Sequence, residues 1–159
     1  MGLFSPESLE ILGQLALATL LGAAIGIERE LARKTAGMRT FSLVAMGSAL
    51  FTIISQVAFS SFAGTSYDPS RIASQVVVGI GFIGAGSIIF NQSRVKGLTT
   101  AAGLWVSAAI GMSVAYRMYA IAVMATLITI FILVFLWIIE HRLLKRLGNL
   151  AAGGDEEDG

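Results

Sequence analysis

Five apolar runs, separated by short polar or charged intervals, organise this chain. They cover about residues 9–27, 41–63, 72–90, 99–116 and 118–139. Each is near the ~20 residues that a helix needs to cross a hydrocarbon core. The pattern predicts an all-α fold, a polytopic membrane helix bundle with five transmembrane helices over residues 1–146. The expected acidic disordered tail follows at 147–159, where the charges cluster from Asp155 to Asp158. Ser5-Pro6-Glu7 reads as a helix start. With no basic region before it and no small-residue cleavage site, the first run is expected to be a retained span.

Within the runs, polar and small residues recur at helical spacing. Ser48, Thr52, Gln56 and Ser60 stand four apart in the second run, a stripe that reads as interhelical hydrogen bonding or as a hydrophilic pathway. Gly22 and Gly26 form a GxxxG face in the first run, and Gly103, Ser107, Gly111 and Ala115 a second small-residue seam in the fourth. The third run carries Gly79, Gly81, Gly84 and Gly86. Each glycine inside a helix costs about 1 kcal/mol against alanine, so this cluster needs a reason. At about 100° per residue the four fall on two opposite faces. That predicts a central helix packed between neighbours, with spans one, three and four close together. The fifth run has no glycine and suits lipid contact.

Composition agrees with the pattern. The 159 residues are 55% hydrophobic and 13% charged, with a mean hydropathy of +0.79, against about 25% charged residues in a soluble domain. Nine of the eleven basic residues fall on the side of loops one and three and the C-terminus; Arg71 and Arg117 fall on the other. The positive-inside rule then places the C-terminus in the cytoplasm and the N-terminus outside. The chain has no cysteine, and its one histidine, His141, lies beyond the last span. Thiolate chemistry, a Ser–His dyad within the spans and a His/Cys zinc site are therefore excluded, and no HExxH, Walker or GxSxG pattern is present. The expected protein is not an enzyme and has no cofactor, Mg²⁺ being the one ion considered. It has the lipid bilayer as its surroundings and no nucleic-acid partner.

Three polar constellations carry candidate chemistry. Glu28, Arg29 and Glu30 stand beside Arg33, Lys34 and Arg39, with Glu30 and Lys34 spaced for a helical ion pair. They form either a topology anchor or an ion- or partner-binding mouth. On the opposite side Asp68 precedes Pro69, with Arg71 and Gln75 on the next turns. Asp68 is either a helix cap or part of a hydrated cation site, since magnesium keeps several waters and needs only one or two carboxylates. The loop with Arg94 and Lys96 leads into Thr99 and Thr100 at an expected capped helix start, an anion- or lipid-headgroup-binding arrangement.

These residues together resemble a known family. Gly26-Ile27-Glu28-Arg29-Glu30, Ala36-Gly37-Met38-Arg39-Thr40, Asp68-Pro69-Ser70-Arg71, Gly79-Ile80-Gly81-Phe82-Ile83-Gly84-Ala85-Gly86 and Gly97-Leu98-Thr99-Thr100-Ala101-Ala102 occur in the order of the MgtC/SapB family of bacterial inner-membrane proteins. The resemblance covers roughly residues 9–140. It implies a five-span membrane domain linked to growth under magnesium limitation and, in some pathogens, to survival inside host cells. Members are named magnesium transporters; the competing view is regulation, acting through the ATP synthase or on other transporters. Homo-oligomers are a further expectation. Longer members add a cytoplasmic C-terminal domain, and functions needing that domain are not carried over. Two classes stay open: a regulator that binds other membrane proteins, and a cation transporter or channel.

Overall fold

The computed structural model describes residues 5–59, 70–91, 94–140 and 142–143. The first helix, α1 (Pro6–Leu31), starts where Ser5 accepts a hydrogen bond from the Ser8 amide at 3.2 Å and Pro6 takes the first turn. It ends at Ala32, and Arg33, at φ 53°, turns the chain back. Helices α2 (Met38–Phe59) and α3 (Ser70–Gly86) follow, then a two-stranded hairpin of β1 (Ile89–Asn91) and β2 (Arg94–Lys96), paired Ile89 with Lys96 and Phe90 with Val95. Helix α4 (Leu98–Ala115) leads through a tight turn into α5, which runs from Tyr119 to Glu140 with a π-helical turn at Ile132–Leu136. Among the described residues four helices are long and apolar enough to span a membrane; α3, 17 residues long, is the shorter fifth.

The centre is α2, packed on α1 and α4. Phe41 is fully buried there, and its carbonyl accepts from the Ser107 hydroxyl of α4 at 3.1 Å. Three glycines allow this approach. A Cβ on Gly22 would stand 2.6 Å from the Phe41 carbonyl oxygen, one on Gly26 would stand 2.5 Å from the Met38 Cα, and one on Gly111 would collide with the Ala45 carbonyl. Gly103 makes room for the Phe41 ring edge at 3.1 Å.

The expected central position of the third span is corrected. Helix α3 lies at the edge, resting mainly on α4 and lightly on α2, and its glycines are not clenched between neighbours. A Cβ on Gly84 would reach Ala101 only at 3.6 Å, an ordinary contact, and Gly79, Gly81 and Gly86 face open space within this chain. The close-packed set is α1, α2 and α4. The helix also ends earlier than the apolar run. The Ser87 amide and hydroxyl both donate to the Gly84 carbonyl, and the chain turns into the hairpin. Gly97, at φ +94°, closes the hairpin against the Ser87 carbonyl, where a side chain would collide.

Substitutions at these glycines should separate the tight contacts from the open positions. Gly111→Ala should cost about 1–3 kcal/mol, and Gly22→Leu or Gly111→Leu should abolish folded protein, because the facing group is backbone and cannot rotate away. Gly79→Leu and Gly13→Leu, with nothing within 4 Å, should stay folded. Monodispersity and melting temperature in detergent check both; equal loss at all four positions would contradict the packing.

Candidate functional site

The polar groups gather at the two ends of the bundle. At the basic end, the last turn of α1 presents Glu28, Arg29 and Glu30. Arg29 is 3% exposed and forms a two-pronged ion pair with the neighbouring Glu28 carboxylate. Glu30 makes a different contact from the one its spacing suggests. The helix stops at Leu31 before Lys34 joins it, and the Glu30 carboxylate instead accepts from the Met38 amide at 3.1 Å and lies over Gly37. It thus caps α2, satisfying one of the amides that a helix start leaves unpaired. Arg39, one residue further, is exposed and has no hydrogen-bond or ion-pair partner among the described residues.

Arg39 also stands at one end of a groove of about 750 Å³ between α2 and α3. The wall is apolar along Leu43, Phe51 and Ile83, with Gly79 on one side and Gln75 near the far end. Of the second constellation, Arg71 and Gln75 lie exposed on the first turns of α3, with Gln75 facing this groove. Asp68 lies outside the described residues. The expected anion loop is changed in shape: Lys96 is exposed on a strand, Arg94 lies on the same strand, and the residue preceding α4 is Gly97, which offers no side-chain cap. Thr99 is exposed in the first turn of α4, but Thr100 is only 2% exposed and turned into the bundle, so it does not belong to a surface anion site.

The opposite end holds groups that the sequence reading passed over. Arg117 (φ 60°) sits in the α4–α5 turn and pairs with Glu10 of α1 at 2.9 Å. Below them the buried Gln14 side-chain amide donates to the Val114 and Ala115 carbonyls at 3.3 and 3.4 Å and to the Tyr119 hydroxyl at 3.4 Å. The Val114 carbonyl also accepts from the Arg117 amide at 2.9 Å, so Gln14 adds a second donor to the end of α4 and ties it to α1. A crevice of about 60 Å³ between Glu7, Glu10, Gln14, Gln56 and Arg117 opens here. The available signal was a lone glutamine inside an apolar run, together with opposite charges at the same-side ends of two spans.

Between the two ends, interior threonine hydroxyls bond back onto their own helices. Thr52 donates to the Ser48 carbonyl at 2.8 Å on its own helix, and Thr126 to Ala122 at 2.9 Å. Ser107 of α4 donates across to the Phe41 carbonyl of α2, whereas Thr52 of the α2 stripe bonds within its own helix. Gln56 faces the crevice, and Ser60 lies outside the described residues. Among the described residues no buried side-chain nitrogen or oxygen lacks a partner.

The two ion pairs should respond to mutation to very different degrees. Glu28→Gln leaves Arg29 buried without a countercharge and should lower stability by about 3 kcal/mol or more, visible as lost folded protein. Arg117→Ala removes a pair whose side chains are 67% and 42% exposed, and should change stability by less than about 1 kcal/mol. Thermal unfolding in detergent checks the order, and a larger loss at Arg117 would reverse it.

The chain matches the MgtC family model over residues 15–142. It is 44% identical over 143 residues to a protein of Escherichia coli named "Putative magnesium transporter YhiD", covering 88% of this chain and 65% of that protein. It is 45% identical over 116 residues to "Protein MgtC" of Brucella abortus, covering 73% of this chain and 47% of the relative. The chain therefore spans about half to two thirds of the length of these curated relatives. No solved structure matches it. With four apolar helices long enough to span and a family match across most of its length, this chain is a membrane protein and belongs to the MgtC family.

Proposed function

We propose that this chain serves magnesium homeostasis in a bacterial cytoplasmic membrane, and that it acts without catalysis by regulating other membrane proteins. The magnesium link rests on the name of the YhiD relative and on the family. The regulatory reading rests on one observation, the distribution of charge. Among the described residues, every Asp, Glu, Lys and Arg stands within about two turns of a helix end or between helices. A cation pathway usually places ionisable or broken-helix groups near mid-membrane. Here the interior of the bundle is filled by apolar side chains such as Phe41, Leu104 and Ile110, and the hydroxyls of Thr52, Ser107 and Thr126 donate to backbone carbonyls.

The transport reading has its own support in the name of the E. coli relative and in the crevice with Glu7 and Glu10. Flux separates the two. Liposomes containing the purified chain should pass Mg²⁺ no faster than protein-free liposomes, while the same chain restores growth in low magnesium to a strain lacking its own copy. Flux above the protein-free background would make it a transporter.

The orientation follows from the basic residues, nine on one side and two on the other. A reporter active only outside the cytoplasm should be silent when fused after Arg146 and active when placed within residues 64–67. The reverse pattern would invert the topology.

A further inference from the structure

The groove between α2 and α3 plays no part in the regulatory reading, yet its length, volume and charge all fit one kind of occupant. We propose that it holds an acyl chain of an anionic phospholipid, whose phosphate rests on Arg39. On α2 the lining runs from Arg39 to Phe51, about 18 Å at 1.5 Å per residue. One leaflet of a ~30 Å hydrocarbon core is about 15 Å deep, so the groove is one leaflet long. A helix about 10 Å across laid along the same ~18 Å would occupy roughly 1,400 Å³. The groove offers about 750 Å³, which is too little for a helix and suits a thin flexible chain.

The chemistry along the groove has a direction. Gly47 on α2 and Gly79 on α3 leave open space on both walls, since neither would meet anything within 4 Å if it carried a Cβ. The single guanidinium of the lining stands at one end, and Gln75 near the other, so the wall turns polar where the chain of one leaflet runs out. The acidic neighbours of Arg39 are already engaged, Glu28 by Arg29 and Glu30 by the Met38 amide. Arg33, Lys34 and Lys96 are exposed at the same end. An unmet guanidinium at the mouth of an apolar groove, among further basic residues, is complementary to a phosphate at headgroup level.

Native mass spectrometry of the full chain, released from detergent with phosphatidylglycerol or with phosphatidylcholine of the same chain length, tests this. The expected result is one retained lipid per chain, with the anionic lipid favoured by roughly fivefold to tenfold. Arg39→Gln should erase that preference and Arg39→Lys should keep most of it. Arg71→Gln, which removes the same charge from the opposite end, should leave it as in the parent. Gly79→Phe and Gly47→Phe fill the groove from opposite walls and should each lower occupancy by both lipids without lowering the melting temperature. If neither phenylalanine variant folds, the Arg39 series decides alone. Unchanged preference in Arg39→Gln, an equal loss in Arg71→Gln, or parent-like occupancy in folded phenylalanine variants would overturn the proposal. So would a retained adduct with the mass of a polypeptide or a second copy of the chain.

Discussion

The approach of α2 to both α1 and α4 is the contact on which the rest of the bundle depends. In a bilayer, apolar side chains gain little by leaving lipid for protein, so helices associate through close van der Waals contact and the hydrogen bonds that closeness permits. Gly22, Gly26 and Gly111 bring two helix surfaces within reach of the α2 backbone. Once α2 is seated, the Phe41 carbonyl comes within 3.1 Å of the Ser107 hydroxyl, and the Phe41 ring fills the space over Gly103. The polar contact is thus a consequence of the steric one. At a larger separation Ser107 would have no reason to prefer a neighbouring helix over its own.

The same contact determines where charge can go. A three-helix centre packed through backbone has no room for an ionised group, and Arg29 is buried only at the end of α1, with Glu28 beside it. The turn after α1 is short, so Glu30 lies close enough to Met38 to cap α2. One carboxylate neutralises a buried guanidinium and the next holds the helix start, which leaves Arg39 facing outward with the exposed Arg33 and Lys34 and without a countercharge from either carboxylate. At the other end Gln14 ties α1 to the end of α4 and the start of α5, fixing the two helices that flank α2.

Much of this was legible in the sequence where a motif had one physical meaning. The GxxxG face at Gly22 and Gly26 and the seam through Gly103, Ser107 and Gly111 mark close approach, and in the structure backbone or an aromatic ring stands opposite each glycine. The glycines of α3 were misjudged because glycine spacing reports which faces are thin, not which faces are occupied. Gly79 and Gly81 leave a thin surface with no partner in this chain. The Glu30–Lys34 spacing failed for a related reason. The pairing rule holds inside a helix, and the left-handed Arg33 ends the helix between the two residues. Glu10 and Arg117 lie 107 positions apart, a contact that follows from the antiparallel stacking of α1 and α4 and from nothing local.

Helix α3 is consequently held by weaker means than its neighbours. Its buried apolar residues Ala73 and Ile80 are few, and even a Cβ added at Gly84 would meet Ala101 only at 3.6 Å, without the backbone interlock seen at α2. Few buried apolar contacts mean a low free energy of local displacement. Yet α3 is joined to α4 through a firmly closed hairpin, since Gly97 lies directly against the Ser87 carbonyl. Helix α3 thus takes its position mainly from α4, on which it packs more extensively than on α2. The groove lies on the side where α3 has the least support from this chain, so an apolar occupant there would add packing that α3 lacks against α2.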